Sequence, residues 1–239
     1  VLQNIRVKKI TKNYLLPKLL IFKNIFFQSM PISVSICGYA LAAAIIFTYV
    51  GQSGEYAVAG YGVGTRIEQV VLLPILGINT AIISIISQNY GANNLNRIKE
   101  TYFTAIKYAF IIMITAGTLV FLSANIITSF FSSDPEVIEY GKRYLKISAF
   151  VLPAYPVFFL SNGFFMALKK SENAMISNFF RNVLNPIIVF YIAKYISASF
   201  DTFFWIWVGI NWFFSISYFF IVIYYFKARL DKPSTVVHP

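Results

Sequence analysis

Charged residues are scarce in this sequence, and their scarcity decides what surrounds it. Of 239 residues, 12% are Asp, Glu, Lys or Arg, where soluble domains carry about a quarter. A soluble fold of this length could bury a core, but so few charges could not cover its outside. One cysteine, Cys37, sits inside an apolar run, which excludes a disulfide framework and a metal site of spaced ligands. The single histidine, His238, stands beside Pro239. No Ser-His-Asp set and no close carboxylate pair lies within an apolar run, so the expectation is of no catalytic site, no metal and no cofactor. No signal-peptide pattern opens the chain. It begins at Val1 with polar and basic residues, and is expected to continue a polypeptide that starts upstream.

What is present is apolar bulk: 58% hydrophobic residues, with 25 Phe and 16 Tyr. Uncharged stretches run over Asn24–Gly54, Gln69–Asn96, Tyr108–Ser133, Ile147–Leu168 and Thr202–Phe226. Each exceeds the roughly 20 residues that cross about 30 Å of hydrocarbon as a helix. A sixth stretch, about Ala174 to Tyr195, contains Arg181, expected near one end with its side chain snorkelling to the interface. The alternating ten-residue segments of a spanning barrel are absent. The expected fold is therefore an all-α integral membrane bundle of six transmembrane helices, spans about 25–50, 57–88, 106–131, 143–168, 174–195 and 203–226. They form one unit, 24–228, flanked by a basic segment, 1–23, and a tail, 229–239.

The net charge of +11 lies in short clusters between these runs, with no nucleic-acid-binding signature; the expected partner is membrane lipid. Alternate loops put 15 of the 20 basic residues on one side, from Arg6 and Lys8 through Arg97 and Lys169 to Lys232, with Arg181 counted among them. That side is expected to be cytoplasmic, with both termini inside and the chain in the plasma (inner) membrane. The 1–20 stretch reads equally as a helix lying on anionic lipid heads or as a loop. Ser133-Asp134-Pro135-Glu136 reads as a capped helix start, opening a fourth helix whose first turns, Glu136 to Lys146, are amphipathic and external. Asn93, Asn94 and Asn96 offer caps for the third.

Polar groups within the spans are the candidate functional residues. A helix starting near Ala57 carries Arg66 and Glu68 about 13 Å along its axis, where ionisable groups usually face a bundle interior or a wet cavity. Two residues apart, they point to opposite sides and cannot pair well with each other. Tyr61, Thr65 and Asn79 share the face of Glu68; Thr80, Ser84 and Ser87 share that of Arg66. Glu68 and its neighbours read as lining a cation or substrate cavity, or else as a lock to other helices; for Arg66 the lock is the preferred reading. Gly60, Gly62 and Gly64 suit close helix approach. Tyr155 and Asn162, seven apart, share a face of the fourth span and could look into the same cavity. Asn178, Asn182, Asn185 and Asn211 suit interhelical hydrogen bonds. Pro31, Pro74, Pro153, Pro156 and Pro186 suit helices that bend around a cavity. The aromatic run Phe213 to Phe226 is expected to face lipid.

Ala59-Gly60-Tyr61-Gly62-Val63-Gly64-Thr65-Arg66-Ile67-Glu68-Gln69, then Leu73-Pro74, Gly77, Ala81 and Gln88-Asn89-Tyr90-Gly91-Ala92, resembles the multidrug and toxic compound extrusion (MATE) transporters. The match is to the first helical hairpin of their C-terminal lobe, and Ser133 to Glu136 and Tyr144-Leu145 fit further along. Ser87 departs from the glycine of many members. The resemblance implies one lobe of a twelve-helix MATE-type transporter, whose partner is a missing N-terminal lobe of the same polypeptide. The implied activity is efflux of a small organic, often cationic substrate in exchange for Na⁺ or H⁺. One branch of the family binds its cation with carboxylates on the first and fourth helices of this lobe, and neither span here contains Asp or Glu. That moves the expected main cation site to the N-terminal lobe and leaves Glu68 as the local candidate. The alternatives are a lipid-linked oligosaccharide flippase of the same superfamily, disfavoured by the lack of several deep basic residues, and a non-transporting membrane scaffold.

Overall fold

The computed structural model describes residues 19–230. The 1–18 part of the basic segment and the 231–239 part of the tail lie outside the described residues, so the lipid-surface reading of 1–20 has no structural counterpart. Eight helices follow in order: α1 (Leu19–Val50), α2 (Glu55–Gly91), α3 (Leu95–Phe131), α4 (Pro135–Ser148), α5 (Ala154–Ala167), α6 (Ser171–Phe179), α7 (Asn185–Tyr195) and α8 (Phe200–Tyr225). They make six passages, because α4 continues into α5 across a break at 149–153, and α6 into α7 across a π segment, Phe180–Leu184. Four segments are long and apolar enough to cross a membrane as single helices: Glu55–Gly91, Leu95–Phe131, Glu172–Tyr195 and Phe200–Ala228. Shorter apolar helices fill Cys37–Ser53 and Ala154–Ala167.

The chain is a multi-pass membrane protein with an inside and a lipid face. On α3, Tyr102, Ala109, Met113, Gly117, Val120 and Ala124 recur every turn or two and are buried. On its far side Leu122, Ile126 and Phe130 are more than 70% exposed, an arrangement that suits a hydrocarbon solvent. The run Phe213 to Phe226 divides in the same way. Phe213, Phe220 and Tyr224 face out, while Tyr218, Val222 and Phe226 are buried, packed on Phe158, Phe164 and Phe165 of α5. The expectation of a wholly lipid-facing run is corrected by this: α8 is amphipathic in size and packing although its residues are nearly all apolar.

α2 is the centre, packed on α3, α4 and α5, with α8 closing over α5 and α4. α1 leans on α6, the π segment and α7. Close approach is made by glycine. A Cβ added at Gly60 would stand 2.7 Å from the Gly141 nitrogen and the Val137 oxygen, and one at Gly141 would stand 2.9 Å from Thr128. A Cβ at Gly64 would overlap the Tyr144 ring. Gly62 faces open space among the described residues, so only two of the three glycines form the notch.

The helix starts obey local chemistry. Asp134 Oδ1 accepts from the Glu136 and Val137 amides at 2.8 and 3.4 Å, with Pro135 in the first turn. The cap is therefore Asp134, and the Ser132 hydroxyl accepts from its amide at 3.2 Å. Asn94 caps α3 through the Arg97 amide. Proline marks the breaks: Pro153 precedes α5 and Pro186 opens α7, while Pro74 lies inside α2.

Candidate functional site

Glu68 sits thirteen residues past the start of α2, on the stripe that also buries Tyr61, Gly64 and Ile75. Its carboxylate accepts two phenol hydrogen bonds, Oε2 from Tyr144 and Oε1 from Tyr155. Tyr144 stands on α4 and Tyr155 on α5, so one carboxylate joins both pieces of the broken passage to α2. The Tyr61 ring meets Tyr144 edge-on at 4.9 Å and stacks on Phe204 of α8 at 5.4 Å. A carboxylate in a membrane interior needs donors to replace water, and the two hydroxyls supply them.

The cation that faces this cluster is Arg181, on the π segment between α6 and α7. Its guanidinium lies 4.3 to 5.2 Å from the ring centroids of Tyr155, Phe158 and Phe159, and Nε reaches Asn211 Oδ1 at 3.5 Å. The expectation that Arg181 snorkels from one end is corrected. The α6–α7 passage extends about ten residues beyond it to the Ser171 side and fourteen to the Tyr195 side, so it lies mid-passage. The π segment turns it toward the aromatic wall.

The remaining predicted residues separate. Thr65 Oγ1 donates to the Gly62 carbonyl at 3.0 Å, a local bond. Asn79 and Asn162 form a second polar level, with Asn79 Oδ1 against Gly163. Asn162 donates to Asn178 Oδ1 at 2.8 Å, while Asn79 Oδ1 and Asn162 Oδ1 are buried with no hydrogen-bond partner among the described residues. Eleven residues of helix, about 16 Å, separate Asn79 from Glu68. Arg66 is exposed and makes no ion pair among the described residues, so the lock expected of it has no ion-pair partner there. Of the polar face expected beside it, Thr80 and Ser84 are exposed, whereas Ser87 donates to the Ala167 carbonyl of α5 at 3.2 Å.

Two members of the cluster escaped the sequence reading. The sequence places Tyr144 in external turns, yet only one flank of α4 is external: Tyr144 and Leu145 are buried, while Arg143 pairs with Asp201 of α8 through contacts of 2.7, 2.9 and 3.1 Å. The available signal was Gly141, which matches Gly60 as the second half of a helix–helix notch. Arg181, which interrupts the stretch from Ala174 to Tyr195, is expected from the sequence near one end at the interface rather than in this cluster.

Comparison with known proteins places this six-passage helical bundle in a family. The MatE family model matches residues 31–192. The chain belongs to the MatE family. Among curated relatives, the FAD transporter of Shewanella oneidensis is 29% identical over 107 residues, 45% of this chain and 24% of the relative. The multidrug export protein MepA of Staphylococcus haemolyticus is 24% identical over 160 residues, 67% of this chain and 35% of MepA. A solved MOP-superfamily transporter from Pyrococcus furiosus superposes with a TM-score of 0.81 at 24% identity, covering 94% of this chain and 50% of that one. The MatE fold is thus established as one lobe: the chain spans about a quarter to a third of the curated relatives and half of the solved chain. Family members are transporters, and among the described residues no group of three or more His, Cys, Asp or Glu could hold a metal ion.

Proposed function

We propose that this chain is the C-terminal half of a secondary active efflux antiporter that exports small organic, often cationic compounds in exchange for Na⁺ or H⁺. The observation that carries the reading is the Glu68 carboxylate held by Tyr144 and Tyr155. A proton or a Na⁺ ion arriving at Glu68 neutralises the charge that the two phenols serve. Their hold on α2 then weakens, and α4 and α5, joined only through the break at 149–153, are free to tilt against α2. A cation that favours one tilt over the other shifts the population between two states, which is what coupling in alternating access requires. Names of relatives support the substrate class: one is called a multidrug export protein. The excess of basic residues in alternate loops supports an orientation with both ends in the cytoplasm, although Arg181 now leaves that count. The missing N-terminal lobe completes the pathway and holds the main cation site.

Ethidium efflux from cells expressing the full-length protein tests this. Wild type should export the dye, and export should fail when the driving gradient is collapsed, by a protonophore for H⁺ or by a Na⁺ ionophore for Na⁺. Glu68→Gln, monodisperse in detergent, should lose efflux. Wild-type efflux by that variant removes Glu68 from the mechanism, and no efflux by the wild-type protein favours a non-transporting scaffold.

A further inference from the structure

A second concavity lies away from the Glu68 cluster, over the break that joins α4 to α5. Phe110 and Phe121 of α3, Phe150 and Pro153 of the break, and Trp205 and Trp212 of α8 wall a groove of about 540 Å³. That is within the range of specific small-molecule sites, about 300–1,000 Å³. The groove exists because the passage is interrupted here. Trp212 donates its indole N–H to the Phe150 carbonyl at 2.8 Å, satisfying an oxygen that the break frees and that hydrocarbon could not. The floor is almost wholly apolar, so it selects a hydrocarbon occupant.

The rim carries a charge. Three basic side chains line this end of α4. Lys142 pairs with Glu139 at 2.6 Å and Arg143 with Asp201 at 2.7 Å. Lys146 has no carboxylate within ion-pair distance among the described residues. Its ammonium instead lies 5.5 Å from the centroid of Phe121, a wall of the groove. The half-exposed Arg143–Asp201 pair marks the polar level, and Lys146 lies one helical turn further in, about 4.5 Å. Descending from the surface, the order is ion pair, unneutralised ammonium, tryptophan and phenylalanine walls, apolar floor. A phospholipid presents the complementary order: phosphate, glycerol, acyl chain.

We propose that this groove is a resident site for an anionic phospholipid, with one acyl chain lying between α3 and α8 and its phosphate paired with Lys146. Single basic residues near an anionic surface attract lipid heads at a strength that gives about a five-fold preference. The lipid fills the space beside the break and so acts on the same joint that separates Tyr144 from Tyr155.

The chain's three tryptophans are Trp205, Trp207 and Trp212, and two of them line the groove, so brominated lipids report on it by quenching. The full-length protein is reconstituted in phosphatidylcholine vesicles containing a minor fraction of dibrominated phosphatidylglycerol or dibrominated phosphatidylcholine. Quenching is taken as the difference between wild type and the Trp205→Phe/Trp212→Phe variant. The expected result is about five-fold preferential quenching by phosphatidylglycerol, lost in Lys146→Gln, kept in Lys146→Arg and in Lys142→Gln, and weakened by salt in the wild type. Equal quenching by the two lipids, a preference that survives Lys146→Gln, or a preference insensitive to salt overturns the proposal. Absence of quenching by either lipid also overturns it and means that protein covers the groove. The salt titration keeps the test decisive if Lys146→Gln does not fold.

Discussion

Substituting Gly60 by alanine asks whether the notch between α2 and α4 sets the Glu68 site. The new methyl would begin 2.7 Å from the Gly141 nitrogen and the Val137 oxygen and 2.8 Å from Tyr140 Cβ. Two of these are backbone atoms, so no side chain can swing away. Ordinary contact begins near 3.4 Å, so α4 must retreat about 0.7 Å. Inserting a methyl into a packed interior costs about 1–3 kcal/mol, which for a protein of this size lowers Tm by several degrees, on the order of 5 °C. Tyr144 lies one turn along α4 from Gly141, so the retreat also lengthens its bond to Glu68. Gly209→Ala is the control: mid-helix on α8, with nothing within 4 Å of the added carbon, it should be neutral or slightly stabilising. Thermal loss of monodispersity in detergent, measured on the full-length protein with ethidium efflux alongside, reads both. Equal Tm values for Gly60→Ala and Gly209→Ala would refute the close-packing argument, and a destabilised Gly60→Ala protein with unchanged efflux would separate the notch from the site.

The Arg143–Asp201 pair is two-pronged but a third or more exposed, so a double-mutant cycle with Arg143→Ala and Asp201→Ala should give a coupling of about 0.5–1 kcal/mol that shrinks with salt. Arg143→Lys should lose much of it, since an ammonium cannot meet both carboxylate oxygens in the same plane. Asp134→Ala removes the cap of α4 and should cost about 1 kcal/mol, with Asp134→Asn close to wild type; thermal unfolding checks both.

The six passages were readable because hydrocarbon imposes a length that few other settings demand, and Gln69–Asn96 and Tyr108–Ser133 exceed it without a charge. The face of Glu68 was readable from helical spacing, which grouped it with Tyr61. Spacing along one helix does not say which neighbour arrives opposite, so Tyr144 was missed, and it stood in a stretch dominated by Glu136, Glu139, Lys142 and Lys146. Arg181 was missed for another reason. Counting uncharged residues locates a passage by its clean portion, and a guanidinium covered by three rings makes part of the true interior look like an edge. Arg66, expected at an unusual depth for a charge, is exposed and has no ion-pair counterpart among the described residues.

The π segment that presents Arg181 has a consequence for how this passage can change over generations. A π turn holds one residue more than the α turn it replaces, so the residues beyond it face about 100° away from where an unbroken α-helix of the same sequence would put them. Deleting one residue of Phe180–Leu184 would let the backbone relax toward an α-helix, interrupted only where Pro186 has no N–H to give. Asn185, Pro186 and the residues that follow would keep their present directions relative to Ser171–Phe179, because the α turn completes the same rotation with one residue fewer. Loss of that one residue would therefore spare the side-chain register on either side and change only what the bulge itself presents, Arg181 above all.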